Sequence, residues 1–386
     1  MCNDKLHDFL VDLPKCEHHI HIEGSLGPEL LFRLAEQNNI SLPSDKDPAF
    51  ASVEALYERY RNFTSLDDFL HYYFIGFSVL LTVTDFEKLG RGVSYETVVE
   101  GLVRARRRAE ADFGMTIEYI VCFLKHCPVE DGLRMFLEAK DAGHFADGTI
   151  AGVGASSSEA PYPPKMFKPI YDAAREAGVR RTAHAGEEGP PAFVVSALDD
   201  LDVQRVDHAR RSNEDEALMA RLAQTRTLLS LCPISNVVLR GVTEIKELPI
   251  REFLDKGVRF SINSDDPAYF GGYILENYFA VQEAFKLTME EWEGIAVGSV
   301  EASWCSEERK TQLKKEIELL LDIVVAILDF VRFVVLGFAI IVVVDAVVGV
   351  LLSVPQILMI VILDVIVVTS SVSTPWQLQA PQIFRA

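Results

Sequence analysis

The chain has 386 residues, with 57 acidic side chains against 37 basic ones and a formal net charge of −20. That length allows one large domain or two ordinary ones around a well-buried core. The acidic balance disfavours nucleic acid as a partner and favours solubility.

Cys2, Cys16, Cys122, Cys127, Cys232 and Cys305 are scattered, with no CxxC pair and no secretory framework. A reducing compartment is therefore expected: cytoplasmic, with a nuclear share left open. The opening "MCNDKLHDFL" lacks the basic-then-apolar order of a signal peptide.

In chain order, "SLGPELLFRLAEQNNI" reads as a helix with Ser25 as its N-cap, and "TSLDDFLHYYFIGFSVLL" as another, Ser65 capping with Asp68 three positions on. "SYETVVEGLVRARRRAEADFG" follows as a basic amphipathic helix ending at Gly114, its arginine run read as a solvated face.

Short apolar runs punctuate the helices: "CEHHIHI", "IEYIVCFL", "IAGVGAS", "RRTAHAG", "QRVDHA", "LLSLCPISN" and "RFSINSDD". Helical stretches such as "KMFKPIYDAAREAG", "PAFVVSALDDL" and "NEDEALMARLAQ" lie between them. This alternation predicts an α/β fold, a parallel sheet of the (β/α)8 TIM-like barrel type. Seven strand candidates are present rather than eight. The second is missing, since only "GRGV" stands where it belongs.

The catalytic barrel is expected to span residues 1–318. Residues 319–386 form an apolar tail in which "FVVLGFAIIVVVDAVVGVLL" (Phe333–Leu352) has the ~20 residues that span a bilayer. "VPQILMIVILDVIVV" would make a second pass. Asp345 in mid-run opposes insertion by about 2.5–3.5 kcal/mol. The tail is read either as a membrane segment, the chain's one route to a membrane, or as a non-native C-terminus.

Polar residues gather where the strand candidates end: His19 and His21, then His184, Glu187 and Glu188, then Asp207 and His208, then Asp265 and Asp266. Singly, a histidine on an apolar strand is ordinarily a satisfied core residue. Four strand ends of this kind converge on one barrel mouth, where such folds do their chemistry. Residues i and i+2 of a strand share a face, so His19 and His21 can grip one ion while His18 faces the helices. His184 and Asp265 complete a His3Asp set of nitrogen and oxygen donors that suits one Zn2+ with a position left for water. Zinc lowers such a water's pKa to about 7. Glu187 is placed to give a proton to a substrate, His208 to orient the water or take its proton, and Asp266 to hold a substrate N–H. Spacing alone stops at a metal-dependent hydrolase or deaminase.

"PKCEHHIHIEGSL", "AHAGEEGPP", "CPISNV" and "NSDDPAYFGGY" together resemble the adenosine/adenine deaminase family of metal-dependent hydrolases, in the family's order from Leu13 to Ser303. The resemblance implies zinc held by His19, His21, His184 and Asp265. It also implies Glu187 protonating purine N1, His208 as second catalytic residue, and Asp266 on the N7 edge. "GVG…SSE", "HAGEEGPP" and "DPAYFGGY" are more similar to the branch that uses the free base, implying adenine as substrate, hypoxanthine and ammonia as products, and a place in purine salvage. The alternatives are adenosine or another 6-aminopurine as substrate, or an impaired relative that binds without turnover. The H-x-E…PCxxC pattern of base-flipping deaminases is absent, since "HIE" has no PCxxC partner.

The chain departs from the family's pattern at four places. The second strand and its flanking helix are lacking, which would leave two strand edges unpaired. Ala155-Ser156 stand for the usual Leu-Asp in the loop that should line the purine pocket. Ala209, Arg210, Ser212 and Asn213 replace Gly, an apolar residue, Cys and Leu after His208. The family also ends where the apolar tail begins.

Overall fold

The computed structural model describes residues 4–79 and 95–348. Two compact units divide the chain, Met1–Asp322 and Ile323–Ala386. In the first, six parallel strands form one sheet in sequence order: β1 (Ile120–Leu124), β2 (Gly152–Ser156), β3 (Arg180–Ala185), β4 (Arg205–His208), β5 (Leu228–Leu231) and β6 (Phe260–Ile262). Helices Val129–Asp141, Lys168–Glu176, Pro191–Asp199, Glu216–Thr225 and Ile250–Lys256 connect successive strands. Parallel neighbours require such crossovers. Burial on both faces explains why β2 and β4 to β6 are buried at every position.

The first strand candidate, "CEHHIHI", is not a regular strand. It reduces to one parallel bridge, Ile20 to Asp265, closed by His21 N–H to the Asp265 carbonyl at 2.8 Å and Asp265 N–H to the His19 carbonyl at 3.1 Å. The chain's opening therefore lies beside the segment after β6, as barrel closure demands. On the other side of Ile20, and outside β1, no strand pairs among the described residues. β1 is accordingly half-buried along most of its length. "GRGV" lies outside the described residues.

The anticipated helices form, with one difference at a cap. Ser65 accepts the Asp68 amide and starts helix Leu66–Phe77, and Gly114, at φ +64°, ends helix Tyr95–Phe113. Ser25 caps nothing: the helix after it is Pro28–Gln37 with Gly27 at its N-cap, because Pro28 supplies the preset first-turn φ. The arginine face pairs along its own helix, Arg104 with Glu100 and Arg108 with Asp112.

Helices Pro28–Gln37, Val53–Tyr60 and Leu66–Phe77 make an aromatic-rich cap over the mouth of the sheet. Tyr60 stacks on Tyr269 at 4.7 Å between ring centroids, and Phe69 meets Phe270 at 4.9 Å. Both partners belong to the short helix Pro267–Phe270 directly after Asp266, so the cap rests on the site's own loop.

In the second unit the described residues are helical to Val348. No helix among the described residues is long and apolar enough to cross a membrane. The expected span Phe333–Leu352 lies partly outside the described residues, and its companion Val354–Val368 wholly so.

Hydrogen exchange tests the open edge. Amides of β1 that point away from β2 should exchange far faster than those of β3, which is paired on both sides. Equal protection along both strands would show that β1 has a further partner.

Candidate functional site

The strand register sets site residues side by side: His184 pairs with Asp207 and Ala185 with His208. His208 ends β4 at φ 61° and Asp265 follows β6 at φ 64°, both in the left-handed region that non-glycine residues enter at a cost of roughly 1–3 kcal/mol. That turn brings the His208 ring, which follows Asp207 directly, in among the other imidazoles. Ala209 adopts φ 56° at the position noted for glycine, yet the His208 ring still lies 4.6 Å from His19 and 5.1 Å from His184.

His19, His21, His184 and Asp265 converge, with one donor atom of each lying within 4.8 Å of all the others. His19 Nε2 and His21 Nε2 stand 3.2 Å apart and 3.1 and 3.3 Å from Asp265 Oδ1. Two ring nitrogens and a carboxylate oxygen at such distances need a shared cation or proton among them. Ser230 decides which nitrogen of His19 is bare. Ser230 gives its one hydroxyl hydrogen to Asp207 Oδ1 at 2.9 Å, so at 3.2 Å it must accept from His19 Nδ1–H. Nε2 is then the lone-pair nitrogen, the tautomer a metal ligand needs. Thr182 donates to the other Asp207 oxygen at 2.7 Å, and Ser235 donates to Asp265 Oδ2 at 2.6 Å. This donor set fits a metal ion. His208, Cys232, His19 and Asp265 form a second convergent group. In that group His208 Nε2 also faces Glu187 at 3.5 Å and Asp265 at 3.8 Å.

The electrostatics sort the titratable groups into opposed pairs. Burial, then the Asp265 and Glu159 charges, push Glu187 well above the usual carboxylate range. Burial and His19 hold His208 down to about 3, a neutral base. Burial also raises Asp266 well above its ordinary value, with Asp265 adding to it and His21 opposing. Asp265 itself stays well below despite burial, because His19 and His21 stabilise its charge. Burial lowers His184. It opposes charge on His21 too, but Asp266 and Asp265 outweigh it and raise that imidazole to about 10, so a metal must compete with a proton there.

His19, His21, His184, Glu187, His208, Asp265 and Asp266 meet at this mouth; Asp207 lies behind the imidazoles, Glu188 is exposed, and His18 turns away to Ser261 Oγ at 3.1 Å. Asp266 Oδ1 is buried with no hydrogen-bond partner, free for a ligand. Gly24 allows that placement, since a Cβ there would come within 2.5 Å of Asp266 Cα. Leu66, Phe69, Leu70 and Tyr73 of the cap, with Leu124, Ser156 and Ser157, line the rest. The cavity is small, about 30 Å3. Ser230, Ser235, Thr182 and Gly24 were not anticipated: short polar residues at strand ends carry no signal until their partners are known.

The family model described as adenosine deaminase matches residues 14–91 and 87–319. A protein of Aspergillus oryzae named adenine deaminase is 50% identical over 344 residues, covering 82% of this chain and 97% of that protein. Its Schizosaccharomyces pombe namesake is 47% identical, with 82% and 94% covered. The crystal structure of adenine deaminase from Arthrobacter aurescens superposes with a TM-score of 0.74 at 37% identity, covering 80% of this chain and 99% of that one.

The raised carboxyl of Glu187 has a testable consequence in the metal-stripped protein. A folded-state pKa above the unfolded value of about 4.3 gives stability that is complete below that value and falls as pH rises toward the folded pKa. Glu187→Gln removes this loss. Thermal melts from pH 5 to 8 should show the variant gaining on the parent, by at most about 1.4 kcal/mol per pH unit. A pH-independent difference would show that Glu187 is not held protonated.

Proposed function

Because the chain belongs to the adenosine deaminase family, we propose that it deaminates adenine hydrolytically to hypoxanthine and ammonia, in purine salvage, with one zinc held by His19, His21, His184 and Asp265. The observation that carries this reading is the convergence of those four donors beside a buried carboxyl, Glu187, that faces the His208 imidazole at 3.5 Å. A zinc ion held there would supply Lewis acidity and a water acidified toward neutrality.

The chain's own residues do the rest. Glu187 gives its proton to ring N1, which drains electrons from C6 and readies it for attack. His208, uncharged and 3.5 Å from Glu187, accepts the proton of the attacking water. Asp266, whose carboxyl burial pushes above its ordinary value, donates to N7 and fixes the ring with the amino-bearing carbon toward the donor cluster. His208 passes its proton to the departing amino group and Glu187 recovers one from the C6 hydroxyl, so ammonia leaves and the ring keeps the oxygen as a carbonyl. The tight apolar wall of Leu66, Phe69, Leu70 and Tyr73 supports the free base over a nucleoside, because a ribosyl group would demand more room.

We further propose that the catalytic domain is residues 1–318 and that residues 319–386 are an appended tail. The family match ends at residue 319. A reducing, cytoplasmic setting, with a nuclear share open, is supported by the scattered cysteines, five of them free among the described residues.

Ammonia release from adenine by the zinc-loaded chain tests the function. Turnover should exceed that on adenosine, vanish on chelation, return with zinc, and fall at least ~100-fold in Glu187→Gln. Zinc held at one per chain with no ammonia released would instead mark a binding protein. Gly24→Ala, by displacing Asp266, should lower kcat/KM for adenine on the order of 100-fold. An unchanged value would remove Asp266 from the substrate site.

A further inference from the structure

Glu187 sits on the turn Gly186–Gly189, and the group that holds this turn lies beneath it. Glu159, fully buried just beyond β2, accepts three of the turn's backbone amides: Gly186 N–H at 3.1 Å, Glu187 N–H at 3.3 Å and Gly189 N–H at 2.7 Å. Gly189 makes this approach possible. A Cβ there would lie 2.7 Å from Glu159 Oε2 and would also overlap Phe193.

Lys125, directly after β1 and only 2% exposed, completes the arrangement. Its Nζ lies 3.9 Å from Glu159 Oε1 and donates to the backbone carbonyl of His184 at 2.8 Å. One buried pair thus ties together the ends of β1, β2 and β3. An ion pair in such a place is a poor way to gain stability, since well-packed apolar residues do as well or better. What the pair does provide is direction, because three N–H bonds aim a turn that has glycine at both ends. Proton donors must lie within hydrogen-bond reach of the atom they serve, and misplacement by about 1 Å costs on the order of 100-fold in rate.

We infer that Lys125 and Glu159 form a positioning pair that aims Glu187 at the substrate ring, with Glu159 holding the turn and Lys125 holding Glu159 against β3. The inference rests on Glu187 being the proton donor.

Steady-state kinetics of the zinc-loaded full chain on adenine test it, using Glu159→Gln and the charge-free pair Lys125→Met/Glu159→Gln. The double variant leaves no lone buried charge and decides the matter in the same way should the single one fail to fold. The expected result is a fall in kcat on the order of 100-fold, with KM within about threefold and zinc still at one per chain. A role in folding alone would instead lower zinc content and active fraction while leaving kcat per zinc-loaded site unchanged, and that result overturns the proposal. Wild-type turnover by Glu187→Gln overturns the donor assignment and this inference with it. An inactive Glu187→Gln beside an unimpaired Glu159→Gln overturns the positioning role alone.

Discussion

One residue, Asp265, ties the N-terminal segment to the end of the sheet and completes the site. Its backbone brackets Ile20 with two hydrogen bonds, while its side chain meets His19 and His21 through one oxygen and Ser235 through the other. Meeting all of these partners forces φ to 64°, a strain that persists only because the surroundings over-determine it. The geometry of the donor cluster and the docking of the N-terminal segment beside β6 are therefore a single constraint. Neither can relax without the other.

From that constraint the chemistry divides by neighbourhood rather than by residue type. Asp265 and Asp266 are adjacent in sequence, yet the first is shifted down by imidazoles and the second up by burial and by its neighbour's charge. Glu187 and His208 are opposed in the same manner, the acid shifted up and the imidazole down. Titratable groups pushed apart in this way are what acid–base chemistry at neutral pH requires. The cap takes part as well, because Tyr269 and Phe270 anchor it one turn beyond Asp266.

The donor set was legible because its code is short-range: a two-residue period puts His19 and His21 on one face, and polar residues at strand ends meet by topology. Six of the strand candidates form for the same reason, each an apolar run bounded by turns. The first one is reduced to a single bridge with the segment after β6. Ser25 misled because Pro28 sets the helix start more strongly than a hydroxyl three residues earlier. Lys125 and Glu159 stayed silent, since a buried ion pair contributed by two different strands has no spacing to betray it. The left-handed turns at His208 and Asp265 likewise follow from tertiary contacts and not from local preference.

The Ile20–Asp265 bridge also has a temporal meaning. Its neighbours His18 and Asn263, themselves hydrogen-bonded, stand 245 residues apart in the chain. At roughly 5–20 residues per second of synthesis, the first two imidazoles emerge some ten to fifty seconds before the carboxylate that completes their set. Through that interval the nascent chain holds first two and then, once His184 is made, three of the four donors. The full set exists only after β6 has been synthesised.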